Sequence, residues 1–568
     1  MQQQLDILRR ALELQNRGEL GEAERLYNQV LAANPENFDA LHLLGILCHQ
    51  RGDSTRAVEL LEAALKVNPN SAEALLNTGS VLGALGRHYE SLTYFDRALE
   101  INAFLFPALV NRGKALNEIR RYDEALATLK KALAIKPGDG PAMFQCGFAL
   151  RQLRRYPEAL GYFQKVLELD PQDTWAMLNC GYALRELKRF PEALGYLKQI
   201  LKLRPADLHL LRRCGVELFW LGEVDEALTC FRQILALSPD DADAHWEIAL
   251  GRLSLGDFAE GWKEYEWRWK LEMPPSEKRH TALPLWNGEH VDGHLLAWAE
   301  QGIGDEILYG GMIPQLAPHA KTLTIEVDPR LVSLFARSFP GLAVIGNNGP
   351  PPADVTVQCP FPSLGRFLLP SRDALQQRRQ AYLTADPEFT ADLRKQLSPN
   401  GEKVIGVSWI SKNPFVGGGK TAALSDFEPL LRLPGCRYID LQYGDTADER
   451  QALRAATGIV VERLEEIDNF ADLDGLASLI AACDLVVTVS NTTAHLAGAL
   501  GQQTIVFVPV GKGRLWYWFT EGEDSPWYPR VRLKRQQPGQ SWKELAQTAA
   551  ADAAAALQIP AREMPVGK

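Results

Sequence analysis

No apolar run in this 568-residue sequence is long enough to cross a bilayer. The stretch Leu485–Val489 falls far short of the roughly 20 residues a spanning helix needs. The opening Met1-Gln2-Gln3-Gln4-Leu5 starts an amphipathic helix and has neither the basic nor the apolar region of a signal peptide, so a cytoplasmic location is expected. No basic stripe interrupts a net charge of −10, which argues against nucleic acid as a partner. Eight cysteines are scattered without a single C-x-x-C pair, so neither a zinc cluster nor a disulfide framework is suggested, and no metal is expected. What remains is an ordinary globular composition, 46% hydrophobic and 23% charged, in a chain long enough for about three or four folding units.

The first half is governed by a period of 34 residues. Prolines stand at Pro35, Pro69, Pro137, Pro171, Pro205 and Pro239, with Ala103 in the skipped place. Glycines recur at Gly45, Gly79, Gly113, Gly147, Gly181 and Gly215, and small residues at Ala23, Ala57, Ser91, Ala125, Ala159, Ala193, Ala227 and Gly261. Four residues after each small one comes Tyr27, Leu61, Phe95, Leu129, Phe163, Leu197, Phe231 or Tyr265. Glycine and the small residue let paired helices approach, the bulky residue fills the space between neighbours, and proline is expected to begin a helix, where its missing N–H costs nothing. Cys146, Cys180 and Cys214 share one repeat position and read as packing residues. The pattern closely resembles the tetratricopeptide repeat over residues 1–270. It implies an α-solenoid whose groove takes a protein or peptide.

After "GWKEYEWRWK" the period is lost, and a connector from Pro274 to Pro284 leads into alternating strands and helices. Expected strands are His294–Ala299, Thr322–Val327, Leu342–Ile345, Val355–Gln358, Val404–Trp409, Arg437–Leu441, Leu485–Val489 and Thr504–Val508, with helical patterns at Pro329–Arg337, Asp426–Leu431 and Ala494–Leu500. Alternation of this kind predicts parallel α/β sheets. There are too many elements for one sheet, so two Rossmann-like domains are expected, over 285–385 and 400–545, with ligand sites at strand ends beside helix starts.

Three turns carry the candidate chemistry. In "EQGIGDE", Gln301, Gly302 and Gly304 form a loop that a substrate can approach closely, and Asp305 sits at a helix start, either as an N-cap or as a functional carboxylate. In "VSWISKNPFVGGGKT", Ser408 lies near the end of a strand and a glycine loop leads to Lys420 and Thr421. Pro414 occupies the place of the first P-loop glycine and cannot donate an N–H, which argues against an ATPase; Lys420 or Lys412 remains placed to meet a diphosphate, or lies on a solvated loop. In "VTVSNTTAHLAGALG", Asn491, Thr492 and Thr493 open a helix carrying His495, an arrangement suited to an anion and also to capping. Gln442 ends another strand facing the same cleft. The D-x-D of "DLDG", Asp472 to Gly475, is read as a cap, and Trp516, Trp518, Trp527 and Tyr528 either stack on a ring or pin a loop.

Taken together, "GWKEYEWRW", "WAEQGIGDEILYG", "DLQYGD", "SNTTAHLAGALG" and "SPWYPRVRL" resemble the bacterial tetratricopeptide-repeat glycosyltransferases. The catalytic half of that family is similar to lipopolysaccharide heptosyltransferases and, more distantly, to protein O-GlcNAc transferases. The resemblance implies a GT-B fold, with a nucleotide sugar bound by the C-terminal Rossmann-like domain and the acceptor by the N-terminal one. It makes Asp305 the catalytic base and sets a cation, Lys420, against the donor diphosphate. Ser490 and Thr492 depart from the aspartate and glycine of the heptosyltransferase helix start, which leaves sugar and nucleotide unassigned. The expected activity is inverting, metal-independent transfer to a Ser or Thr hydroxyl of a protein held by the repeats. Two alternatives stand beside it: a lipopolysaccharide or polysaccharide acceptor, or an inactive repeat scaffold.

Overall fold

The first helix of most repeat hairpins starts at a polar residue two positions after the periodic proline. In the computed structural model, which describes residues 2–413, 417–511 and 513–559, Asn37 accepts from the Ala40 amide at 2.9 Å, Ser71 from Ala74 at 3.2 Å and Asp139 from Ala142 at 3.0 Å. Asp173, Asp207 and Asp241 repeat the bond to Ala176, Leu210 and Ala244. Each such cap is worth about 1 kcal/mol. This corrects the expectation that proline opens the helix. Proline instead shapes the turn, and the cap begins the helix proper. At the skipped repeat Leu105 stands in the cap position and makes no side-chain bond.

The chain divides into two compact units, Met1–Leu203 and Arg204–Lys568. The first is built from helical hairpins, running from Gln2–Asn16 to Phe190–Leu203. The periodic glycines sit where paired helices touch: a Cβ on Gly79 would come within 2.6 Å of the Phe95 ring, and one on Gly147 within 2.8 Å of Phe163. Glycine and bulky residue are thus two halves of one contact. Cys146 and Cys180 are fully buried in this packing, and burial pushes both thiols up to about 12.

The second unit opens with two more hairpins of the same kind, Leu208–Leu221 with Val224–Leu237 and Ala242–Leu255 with Phe258–Tyr265. A short 3₁₀ turn, Glu266–Lys270, leads through the connector into two parallel sheets. The first sheet contains β1 (Val291–Trp298), β2 (Ala320–Val327), β3 (Ala343–Gly346) and β4 (Val355–Pro360) in the order β3-β2-β1-β4. The second contains β5 (Lys403–Ser408), β6 (Cys436–Asp440), β7 (Val461–Glu462), β8 (Leu485–Val489), β9 (Thr504–Val508) and β10 (Val531–Arg535) in the order β10-β9-β8-β5-β6-β7. The central strands β5, β8 and β9 are almost wholly buried, as parallel strands covered on both faces must be.

The eight expected strands all form, within two or three residues of the anticipated ends. β7 and β10 were not expected: the first is two residues long, and the second, Val-Arg-Leu-Lys-Arg, is an edge strand whose charges mask its apolar alternation. The helical pattern at Asp426–Leu431 yields only a 3₁₀ turn, Leu424–Phe427. Asp472 caps its helix through the Gly475 amide at 2.8 Å, and Asp474 pairs with Arg337 at 2.6 Å, so the D-x-D of "DLDG" is structural. Among the described residues no helix is long and apolar enough to cross a membrane.

Candidate functional site

The turn after β1 is held from behind. Arg268 sends Nε and Nη2 to the two carboxylate oxygens of Glu300 at 2.9 and 3.0 Å, and Nη2 also reaches Ser363 Oγ at 2.9 Å. Gln301 then takes a left-handed backbone, φ 69°, costly for a side chain with a Cβ, and its amide nitrogen donates to Tyr265 Oη at 2.9 Å. Gly302 is the N-cap of helix Ile303–Gly310. Asp305 therefore lies in the first helical turn and is not the cap.

The turn after β8 delivers the second half of the site. Asn491 is the N-cap of helix Thr492–Ala499, and the two helix starts pack together. A Cβ on Gly304 would lie 3.2 Å from His495 Cδ2 and 3.8 Å from Thr492 Oγ1, so glycine at this position permits the approach. His495 Nδ1 is 2.9 Å from Tyr528 Oη, and its ring stacks on Trp518 with centroids 5.2 Å apart. Trp518 in turn donates to Ser490 Oγ at 2.7 Å, and Trp527 to the Tyr517 carbonyl at 2.8 Å. Trp518, Trp527 and Tyr528 thus pin the late loop.

Between these starts lies a cleft of about 370 Å³. Gln301, Gly302, Gly304, Asp305, Lys420, Asn491, Thr492 and His495, all anticipated from sequence, line it. Desolvation pushes the Asp305 carboxyl up to about 6, opposed by the Gly302 N–H and by Lys420. Lys420 is itself lowered to about 8 by burial, with Asp305 opposing. Burial brings His495 down to about 3, and Lys420 acts in the same direction, so its imidazole is neutral at physiological pH.

Other expected residues stand behind this lining. Ser408 and Gln442 are fully buried, and Gln442 Oε1 accepts from Ser408 Oγ and from the amides of Trp409 and Ile410. Thr421 Oγ1 accepts from the Ser411 amide, and Thr493 is buried beside Ser408. Lys412 lines a neighbouring hollow of about 500 Å³ together with Tyr443, Arg463 and Phe470, its Nζ 5.6 Å from the Tyr443 ring centroid. Pro414, the residue set against a P-loop, lies outside the described residues.

One wall of the cleft, Trp516 apart, was not anticipated from sequence. Phe219, Trp220, Trp246, Leu250 and Tyr265 come from the last repeat helices, and Tyr443, Arg514, Trp516 and Tyr517 from the second sheet's loops. Trp220 left a trace: the equivalent places in earlier repeats hold Glu186, Gln152, Glu118 and Gln50. A tryptophan where the array keeps short or polar side chains marks a surface with another use.

Comparison with known proteins bears on the repeats. The tetratricopeptide-repeat family matches residues 16–77, 116–174, 150–213 and 184–253 by one profile and 50–105 by another. Protein FlbA of Caulobacter vibrioides is 32% identical over 302 residues, 49% of this chain and 50% of that protein, so the chain spans about half the length of this relative. Among solved structures, MamA is 28% identical, covering 28% of this chain and 92% of that one, with a TM-score of 0.27. A tetratricopeptide repeat protein from Parabacteroides merdae is 17% identical, covering 44% and 99%, with a TM-score of 0.37. Between residues 16 and 253 the chain thus carries tetratricopeptide repeats.

Proposed function

We propose that this cleft is the active site of a glycosyltransferase that moves a sugar from a nucleotide sugar to a Ser or Thr hydroxyl of a protein brought in by the repeats. The observation that carries the reading is the joint placement of Asp305 and Lys420 in one cavity, between two abutting helix starts. A carboxylate with its pKa near 6 is ionised at neutral pH and still basic enough to accept a proton. A desolvated lysine and free helix N–H groups favour an anion. Two parallel sheets within one unit agree with a GT-B plan, β1–β4 lying inside 285–385 and β5–β10 inside 400–545.

In the reaction the acceptor O–H proton passes to an Asp305 carboxylate oxygen as the acceptor oxygen bonds the anomeric carbon. The bond from that carbon to the donor phosphate breaks with its electron pair staying on the diphosphate. Lys420 and the start of helix Thr492–Ala499 offset the charge gained there. Neutral His495 supplies a hydrogen bond rather than a charge. The repeats raise the local concentration of a tethered acceptor without adding chemistry.

The test is nucleotide release from a panel of nucleotide sugars, by the full chain and by Asp305→Asn. Release that survives Asp305→Asn undiminished removes Asp305 as the base. No release and no binding of any donor leaves a repeat scaffold as the function.

A further inference from the structure

A second cation faces the cleft at its repeat-side end. Arg514 lines the cavity from the loop after β9, and a Cβ on Gly222 would come within 3.7 Å of its Nη1, so the guanidinium stands at the C-terminal end of helix Leu208–Leu221. The partial negative charge of a helix end compensates a cation only in part. Among the described residues its side chain makes no hydrogen bond, ion pair or ring contact. Arg535, on the edge strand beside the late loop, is satisfied by contrast: it donates to the carbonyls of Trp518, Phe519, Glu521 and Gly522. Burial weakens the hold of both Arg535 and Arg514 on their protons, and the Arg514 charge adds to that effect at Arg535.

A half-buried guanidinium with a second cation near it is costly unless an anion completes it. Arg514 and Lys420 address different parts of the cleft. Lys420 acts on Asp305 and His495, whereas Arg514 acts on neither and abuts the repeat helices. Trp220, Trp246 and Trp516 line the same cleft, so it offers flat apolar surfaces as well as a planar, forked donor.

We propose that Arg514, in a cleft these tryptophans also line, is an oxyanion subsite, taking a carboxylate that is carried either by an acidic residue next to the acceptor hydroxyl or by the sugar itself. The preference for a carboxylate follows from the geometry of the site, whereas the naming of its two sources rests on the transfer reaction proposed above.

The experiment titrates the full chain with two matched pairs and follows tryptophan fluorescence. One pair is the peptide Ac-Asp-Ser-Ala-NH₂ and its asparagine counterpart, and the other is glucuronate and glucose. The acidic member of at least one pair is expected to bind about tenfold more tightly than its neutral partner, as a charge-assisted hydrogen bond implies. That preference disappears in Arg514→Gln, is kept in part by Arg514→Lys, and survives Lys420→Gln, which instead weakens inorganic pyrophosphate. The pair that shows the preference names the source of the carboxylate. No acid preference in either pair, or a preference that persists in Arg514→Gln, overturns the subsite. Loss of nucleotide release with the acid preference intact would remove the transferase reading and leave this one standing.

Discussion

Arg268 and Glu300 form an ion pair in which both side chains are fully buried, and Glu300 lies one residue from the strained Gln301 and five from Asp305. Arg268 belongs to the turn that follows the last repeat helix, whereas Glu300 follows β1. The pair therefore ties the end of the repeat array to the turn that aims Asp305.

Removing one partner leaves the other charged and buried. Arg268→Ala is expected to destabilise the second unit by about 3–5 kcal/mol, seen as a lower denaturant midpoint. Replacing both, as Arg268→Met with Glu300→Leu, should recover much of that stability. A double variant no more stable than Arg268→Ala would contradict the account, since the loss would then not come from the uncompensated charge.

Gly304→Ala tests the contact between the helix starts. The new Cβ meets His495 Cδ2 at 3.2 Å, so the helices must separate by a few tenths of an ångström. Overpacking of this kind costs about 1–3 kcal/mol. Because the shift falls between Asp305 and the Thr492 helix start, nucleotide release should drop more than stability does, by about tenfold or more. Release at the wild-type rate would show that this spacing does not matter to the site.

The repeat cysteines give a prediction about the core. Burial pushes Cys146, Cys180 and Cys214 up to about 12, so almost none of each is thiolate at neutral pH. These thiols should resist iodoacetamide in the native protein and react on unfolding, as mass spectrometry of the labelled peptides would show. Labelling in the native state would mean that the repeats open locally.

How far the sequence led depends on where periodicity lives. The repeat register was readable because Gly79 and Phe95 are two ends of one contact recurring every 34 residues. The helix caps were missed because Asn, Ser and Asp fill that position in turn, a chemical constancy that residue identity hides. Of the candidate site, the glycine turn and the Asn491–His495 helix start were legible as strand-end motifs. Thr421, Gln442 and Ser408 read the same way, yet their hydrogen bonds turn inward to hold β5 and its loop. Trp220, Trp246 and Arg514 carry no local motif. Only the fold brings the last repeats beside the loop after β9.

The pH dependence follows from two groups that the cleft holds away from their ordinary values. Release should fall as pH drops through about 6, where Asp305 takes up a proton, and again above about 8, where Lys420 loses one. His495, near 3, contributes no limb between them. Stability responds in the opposite sense. Asp305 is raised from 3.8 to about 6, so the folded state binds its proton more tightly than the unfolded chain and is favoured as pH falls through that window. Lys420 is lowered from 10.5 to about 8, so the fold gains as pH rises through that higher window. At neutral pH both charged forms are therefore held at a cost. Asp305→Asn keeps an acceptor for the Gly302 N–H but carries no charge, so it should be more stable than wild type at pH 7.5 while losing activity. Near pH 4, where the wild-type carboxyl is itself protonated, the gain should shrink. Denaturant midpoints at the two pH values measure this directly, and an equal midpoint for both proteins at pH 7.5 would mean that Asp305 is not desolvated in the cleft.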